Sequence, residues 1–111
     1  MNLGVNFLGI HMKSPLIAAS GTFGFGLEYE EYMNLDSIGA ISCKGLSLNP
    51  WEGNTGVRIT ETPSGILNCI GLENPGVDYF KINYLPRLKK HEVPVICNVV
   101  GKDIEEYGKV A

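Results

Sequence analysis

The sequence predicts an α/β protein organised on a parallel sheet, and three observations carry that prediction. Short apolar runs at Leu16–Ala19, Ile38–Cys43 and Val93–Val100 have the length and the flanking Gly and Pro of buried strands. Segments with helix signals separate and follow them, so that strand and helix alternate three times along the chain. The polar residues that interrupt this plan, Ser20, Lys44 and Asn98, fall after or late in the three runs. Parallel α/β sheets gather their ligand-binding groups at that end of the strands.

Each element has its own reason. Val5, Phe7 and Ile10 flank a Leu8-Gly9 turn, so the first thirteen residues read as a short hairpin leading into the domain. Leu16–Ala19 is the first strand of the sheet, and it empties into the glycine-rich loop Ser20–Gly26. Glu28–Met33 supports a short helix. Ile38–Cys43 is the second strand, followed at once by Lys44-Gly45 and a long loop rich in Asn, Pro and Gly. Arg58–Thr62 alternates weakly and reads as a small strand excursion. Val77, Phe80, Tyr84, Leu85 and Leu88 recur at helical spacing after Asn74-Pro75-Gly76, and Pro86 is expected to end or kink that helix near Leu85. Val93–Val100 is the third strand, and Asp103 caps a helix from Ile104.

The stretch Thr62–Gly76 organises the rest. It combines Gly65, Gly71, Gly76, Asn68 and Asn74 with Ile66, Leu67, Ile70 and Leu72, a composition of neither a solvated linker nor a regular strand. Two readings fit it: a shaped binding loop, in which Asn68 offers an uncharged acceptor and donors, or a hairpin turn whose apolar residues fill the core.

Composition excludes several functions. The chain has 111 residues, 44% hydrophobic and 19% charged, enough for one domain with a core. A net charge of -3 supplies no basic field for nucleic acid. No apolar run reaches the roughly 20 residues of a membrane span, and the N-terminus lacks the pattern of a secretion signal, so a cytoplasmic location is expected. Cys43, Cys69 and Cys97 lack Cys-x-x-Cys spacing, which argues against a disulfide framework and a zinc site, and no metal is expected.

Among the polar candidates, Lys44 is either an exposed cation or a site residue at a strand end. Asn98, expected to be buried beside Cys97 and Val99, would need partners that a ligand can supply. Ser20 is either a turn hydroxyl or a ligand contact. Gly21, Gly24 and Gly26 do not make a dinucleotide fingerprint. Tyr29, Glu30, Glu31 and Tyr32 read as a solvated helix face, and Lys89-Lys90 as surface charge.

Ala18–Gly26, then Lys44-Gly45, then Glu52-Gly53-Asn54 with Arg58, then Glu61–Gly76 resemble the N-terminal part of dihydroorotate dehydrogenase in order, spacing and wording across nearly the whole chain. Within that family the chain is similar to the NAD-linked class I branch. The resemblance implies a (β/α)8 TIM barrel, with residues 1–111 forming the N-terminal part of one FMN-binding barrel domain and its first three βα units. It implies oxidation of dihydroorotate to orotate in pyrimidine synthesis. It also implies a homodimeric core within a heterotetramer, with an electron-transfer subunit that carries FAD and a 2Fe-2S cluster and reduces NAD.

By the same resemblance, Ser20, Lys44, Gly45 and Asn98 match FMN contacts, and Lys44 also touches substrate. Asn68, Cys69, Ile70, Gly71 and Leu72 match the substrate loop. The catalytic base of this branch is a cysteine on a later loop, so it is expected beyond residue 111, and a truncated barrel alone is expected to be inactive. Two alternatives are another FMN barrel oxidoreductase acting on a pyrimidine, and a non-catalytic interaction module with an exposed sheet edge.

Overall fold

The structure, a computed structural model, describes residues 3–111. Met1 and Asn2, which begin the stretch assigned to the lead-in hairpin, lie outside the described residues. Strands β1 (Val5–Phe7) and β2 (Ile10–Met12) pair antiparallel around Leu8-Gly9, both of which take positive φ. This is the backbone that a two-residue hairpin turn demands. Met12 closes the hairpin onto the domain and is buried.

The sheet that organises the domain is three-stranded and parallel, in the order β3 (Ile17–Ala18), β4 (Ala40–Leu46), and a later strand, Val95–Val99. Between β3 and β4 the chain makes one turn of helix, α1 (Ser20–Phe23), and two 3-10 turns, Leu27–Tyr29 and Leu35–Ser37. The Ser20–Gly26 stretch is therefore not simply a loop. The helix expected over Glu28–Met33 is reduced to the first 3-10 turn and a following hydrogen-bonded turn. Gly24 and Gly26 precede it at positive φ, and the Glu28 carboxylate turns back to accept from the Phe25 N–H, so the segment begins in a bend that an α-helix cannot extend.

After β4 an antiparallel hairpin, β5 (Ile59–Thr62) with β6 (Gly65–Asn68), stands away from the core with every residue exposed. The first part of the glycine-rich stretch is thus regular strand, and Ile66 and Leu67 do not fill the core. Helix α2 (Val77–Asn83) breaks at Tyr84 and resumes as α3 (Leu85–Leu88). Pro86 has no N–H to offer the carbonyl one turn back, which accounts for the break. Strand β7 (Val95–Val99) follows, and α4 (Ile104–Val110) begins where Asp103 accepts the Glu106 N–H at 2.9 Å.

The core lies on one face of β4. Ile41, Cys43 and Leu46 pack with Leu35, Phe80, Leu88 and Val93, and Phe25 tilts against Phe80 and Tyr84. Burial pushes the Cys43 thiol up to about 12, so it stays protonated and inert. Among the described residues no helix is long and apolar enough to cross a membrane.

Of the residues read as a solvated helix face, Glu31 and Tyr32 are exposed as expected, whereas Tyr29 and Glu30 are tied down. Tyr29 stacks on Phe23 with ring centroids 4.2 Å apart, and its hydroxyl donates to the Thr22 carbonyl at 2.8 Å. Glu30 receives Arg87 and the His91 Nε2, 3.0 Å away. The His91 hydrogen bond, aided by Arg87, holds the Glu30 carboxyl below the usual carboxylate range. A carboxyl with a depressed folded pKa contributes stability that is present above its unfolded pKa and is lost as pH falls through the folded value. Stability is therefore expected to drop as pH falls below about 4.5, and Glu30→Gln to flatten that acid limb. Denaturant midpoints at neutral and acid pH test this, and parallel pH curves for both proteins would refute it.

Candidate functional site

A cleft of about 670 Å³ opens at the C-terminal end of the parallel strands. Its floor comes from the sheet and its wall from the hairpin and the loop that follows. Ser20, the first residue after β3 and its Ala19 cap, stands at one side with Gly21. Lys44 and Gly45 of β4 and Asn98 of β7 form the floor, with Gly45 directly paired to Asn98 in the ladder. Asn68, at the end of β6, and the loop residues Cys69, Ile70, Gly71 and Leu72 form the wall. All the candidate residues named from the sequence thus border one cleft, although they come from four separate segments.

The sequence left Lys44 just outside its strand, yet β4 runs through it to Leu46. A regular strand would turn Lys44 and Gly45 to opposite faces. The pairing of β4 with β7 slips between Ser42 and Gly45, and across that irregularity both residues reach the cleft. The burial pattern records the same slip: Ile41 and Cys43 face the core at even spacing, and Leu46 returns to it at odd spacing. Asn98 is exposed rather than buried, so its amide needs no internal partner and is free to meet a ligand.

Lys44 is the cation of the floor. Among the described residues the ion pairs of lysine and arginine engage Lys13, Arg58, Lys81, Arg87 and Lys109, and not Lys44. A second hollow of about 560 Å³ adjoins the first, shares Lys44 and Glu73 with it, and carries Trp51, Tyr79 and Tyr84. Lys44 therefore stands where two hollows meet.

The wall is held from behind. The Asn54 N–H donates to the Ile70 carbonyl at 2.9 Å, and the Asn54 side chain donates to the Cys69 carbonyl at 3.0 Å. Arg58 pairs with Glu73 at 2.7 Å, and Trp51 bridges antiparallel to Asn74. Sequence reading missed Gly21, Ile59, Ile66, Glu73 and Val100 as lining residues. Ile59 joins the lining because the hairpin register sets it directly opposite Asn68, which only the structure shows.

A cation, amides and a hydroxyl at the strand ends of a parallel sheet, around a cleft with apolar lining, make the arrangement at which α/β proteins place their ligand sites. The family model described as dihydroorotate dehydrogenase matches residues 2–111. The chain is 51% identical over 109 residues to the "Dihydroorotate dehydrogenase B (NAD(+)), catalytic subunit" of Brachyspira hyodysenteriae, covering 98% of this chain and 36% of that protein. It is 50% identical to the protein of the same description in Maridesulfovibrio salexigens, over 100% of this chain and 36% of the relative. To that of Geobacter sp. (strain M21) it is 52% identical, over 99% and 36%. The chain belongs to the dihydroorotate dehydrogenase family, and it spans little more than a third of the length of these relatives.

Proposed function

We propose that this chain is the N-terminal, ligand-binding part of the catalytic subunit of a class I, NAD-linked dihydroorotate dehydrogenase. Its parallel sheet continues in the full-length protein into a (β/α)8 barrel that binds FMN and oxidises dihydroorotate to orotate in cytoplasmic pyrimidine synthesis. The single observation that carries this reading is the convergence of Ser20, Lys44, Asn68 and Asn98, from four segments, on one cleft.

The donor set fits a flavin and a ring substrate. Ser20 contributes a hydroxyl, Asn98 an amide and Lys44 a cation, and a Cβ added at Gly21 meets nothing within 4 Å, so that wall is open to a planar group. When bound, the flavin supplies the acceptor for the hydride lost as the substrate ring becomes conjugated. Dihydroorotate has imide edges and a carboxylate, which ask for amide hydrogen bonds and a cation. Asn68 pairs with the imide edge and Lys44 with the carboxylate. Ile59, Ile66 and Ile70 give the cleft an apolar lining against which a planar ring can lie. The proton leaves to a base outside this stretch, and electrons pass to NAD through a partner subunit with FAD and a 2Fe-2S cluster, on a homodimeric core of the catalytic subunit. The 111-residue stretch by itself is expected to be inactive.

Cys69 lies on the cleft but is not that base. The group at its sulfur is the neutral Asn54 amide, 3.5 Å away, whereas thiolate activation calls for a cation, an imidazole or a helix N-terminus. Cys69→Ala in the full-length protein is expected to keep turnover within roughly tenfold, about 1.4 kcal/mol of barrier. A loss of several orders of magnitude would reassign the base to Cys69. The function itself is tested by purifying the full-length protein, measuring bound flavin by absorbance, and mixing it anaerobically with dihydroorotate or with dihydrouracil. Bleaching by dihydroorotate alone is the expected result. Absence of flavin, or bleaching by dihydrouracil in its place, would overturn the reading.

A further inference from the structure

We propose that Asn74 is a positioning residue for the cleft: its side-chain amide fixes the Leu72 carbonyl and, through it, the presentation of Ile70, Gly71 and Leu72 to the substrate. The inference rests on the functional reading above, which sets that loop against dihydroorotate.

Asn74 is buried, with 6% of its surface exposed, and it does not border the cleft it serves. Its Oδ1 accepts the backbone N–H of Ser47 at 3.0 Å and that of Gly76 at 3.0 Å, with the Ser47 hydroxyl 2.9 Å away. Two backbone donors converging on Oδ1 dictate which way the amide faces, so Nδ2 points to the loop. There it donates to the Leu72 carbonyl at 2.9 Å. The Asn74 backbone is held in turn, exchanging hydrogen bonds with Trp51 at 2.9 Å in both directions. One side chain thus joins the end of β4, the start of α2 and the cleft wall.

Leu72 is the residue that needs such a hold. Its φ is +61°, and its side chain is more than half exposed, so packing does little to keep it there. A non-glycine residue persists in the left-handed region only where its surroundings determine the backbone. Besides Asn74, the wall is anchored at its other end by Asn54, through the Cys69 and Ile70 carbonyls. The loop between these two amides carries the groups that meet the ligand, and its geometry is set before the ligand arrives, which lowers the ordering cost of binding.

The two ends of the Asn74 amide are separable by mutation. Asn74→Asp in the full-length protein keeps an oxygen for the Ser47 and Gly76 N–H groups and removes the donor to Leu72. The expected result is a KM for dihydroorotate and a Kd for orotate raised roughly tenfold, the weight of one hydrogen bond. Bound flavin stays close to wild type and kcat changes by less than about twofold, while the thermal midpoint falls because a buried carboxylate oxygen then faces the Leu72 carbonyl. Ser47→Ala, which touches the same anchor without cutting the link to Leu72, is expected to leave KM and Kd unchanged. Folded Asn74→Asp with wild-type KM and Kd overturns the proposal. Asn74→Gln, which displaces the donor by one carbon, is the second variant. If neither variant accumulates as flavin-loaded protein, Asn74 is a structural anchor only and the proposal also falls. A wild-type protein that binds no orotate marks the failure of the functional reading instead.

Discussion

Lys44→Ala in the full-length protein is expected to slow bleaching of the flavin by dihydroorotate by on the order of 10² or more, as for loss of one preorganised electrostatic group. Lys44 stands on the cleft floor at the junction with the second hollow, and its charge is not spent on an internal ion pair among the described residues. Under the proposed function, a compact ammonium there would attract the substrate carboxylate and favour the negative charge that arrives with a hydride. Removing it is expected to weaken orotate binding as well. Lys44→Arg should rescue little. A wide planar fork does not reproduce the point charge of a compact ammonium. Stopped-flow absorbance on mixing with dihydroorotate measures the step, and a wild-type rate in Lys44→Ala would make this lysine a bystander.

Gly53→Ala is the second change with a large expected effect, and it acts through the wall rather than the floor. Gly53 has φ +77°, and a Cβ built on it would lie 2.3 Å from the Ile70 carbonyl oxygen, a backbone atom that cannot swing aside. Gly56 supplies the control: its φ is +82°, but an added Cβ meets nothing within 4 Å. Alanine at Gly56 incurs only the left-handed backbone penalty, about 1–2 kcal/mol. Alanine at Gly53 adds displacement of the cleft loop and is expected to cost about 3 kcal/mol or more, together with a clear loss of orotate affinity. Thermal melts and orotate titration of the two variants separate these contributions. Equal losses at both sites would show that close approach to Ile70 is not what Gly53 provides.

Much of the architecture was legible because it depends on short-range chemistry. The Leu8-Gly9 hairpin, the break at Pro86 and the Asp103 cap each follow from residues within a few positions of one another. The strand ends were legible for a related reason, since apolar runs stop where polar residues and glycines begin. The candidate residues were found through their positions at those ends and through resemblance, and a parallel sheet brings such ends together.

The departures have more than one cause: the helix expected over Glu28–Met33 is cut short locally, by Gly24 and Gly26 at positive φ and the turned-back Glu28 carboxylate, whereas the others need partners outside the segment. The hairpin turn weighed for Thr62–Gly76 is present, but its apolar residues stay outside the core, and Gly65–Asn68 becomes strand through its register with Ile59–Thr62. Within the Tyr29–Tyr32 segment Glu30 looked solvated because Arg87 and His91, which capture it, lie far along the sequence.

By itself, then, the sequence determined the α/β alternation, the caps and breaks, and which polar residues stand at strand ends, because propensity, periodicity and turn chemistry act over a few residues. Only the tertiary structure decided that Lys44 and Gly45 share a face, that Asn98 is exposed at the cleft, and that Asn54 and Asn74 hold the wall from behind. These depend on the slip between β4 and β7 and on hydrogen bonds that cross between segments. Such contacts form only when sequence-distant backbone groups are brought together and must find partners there.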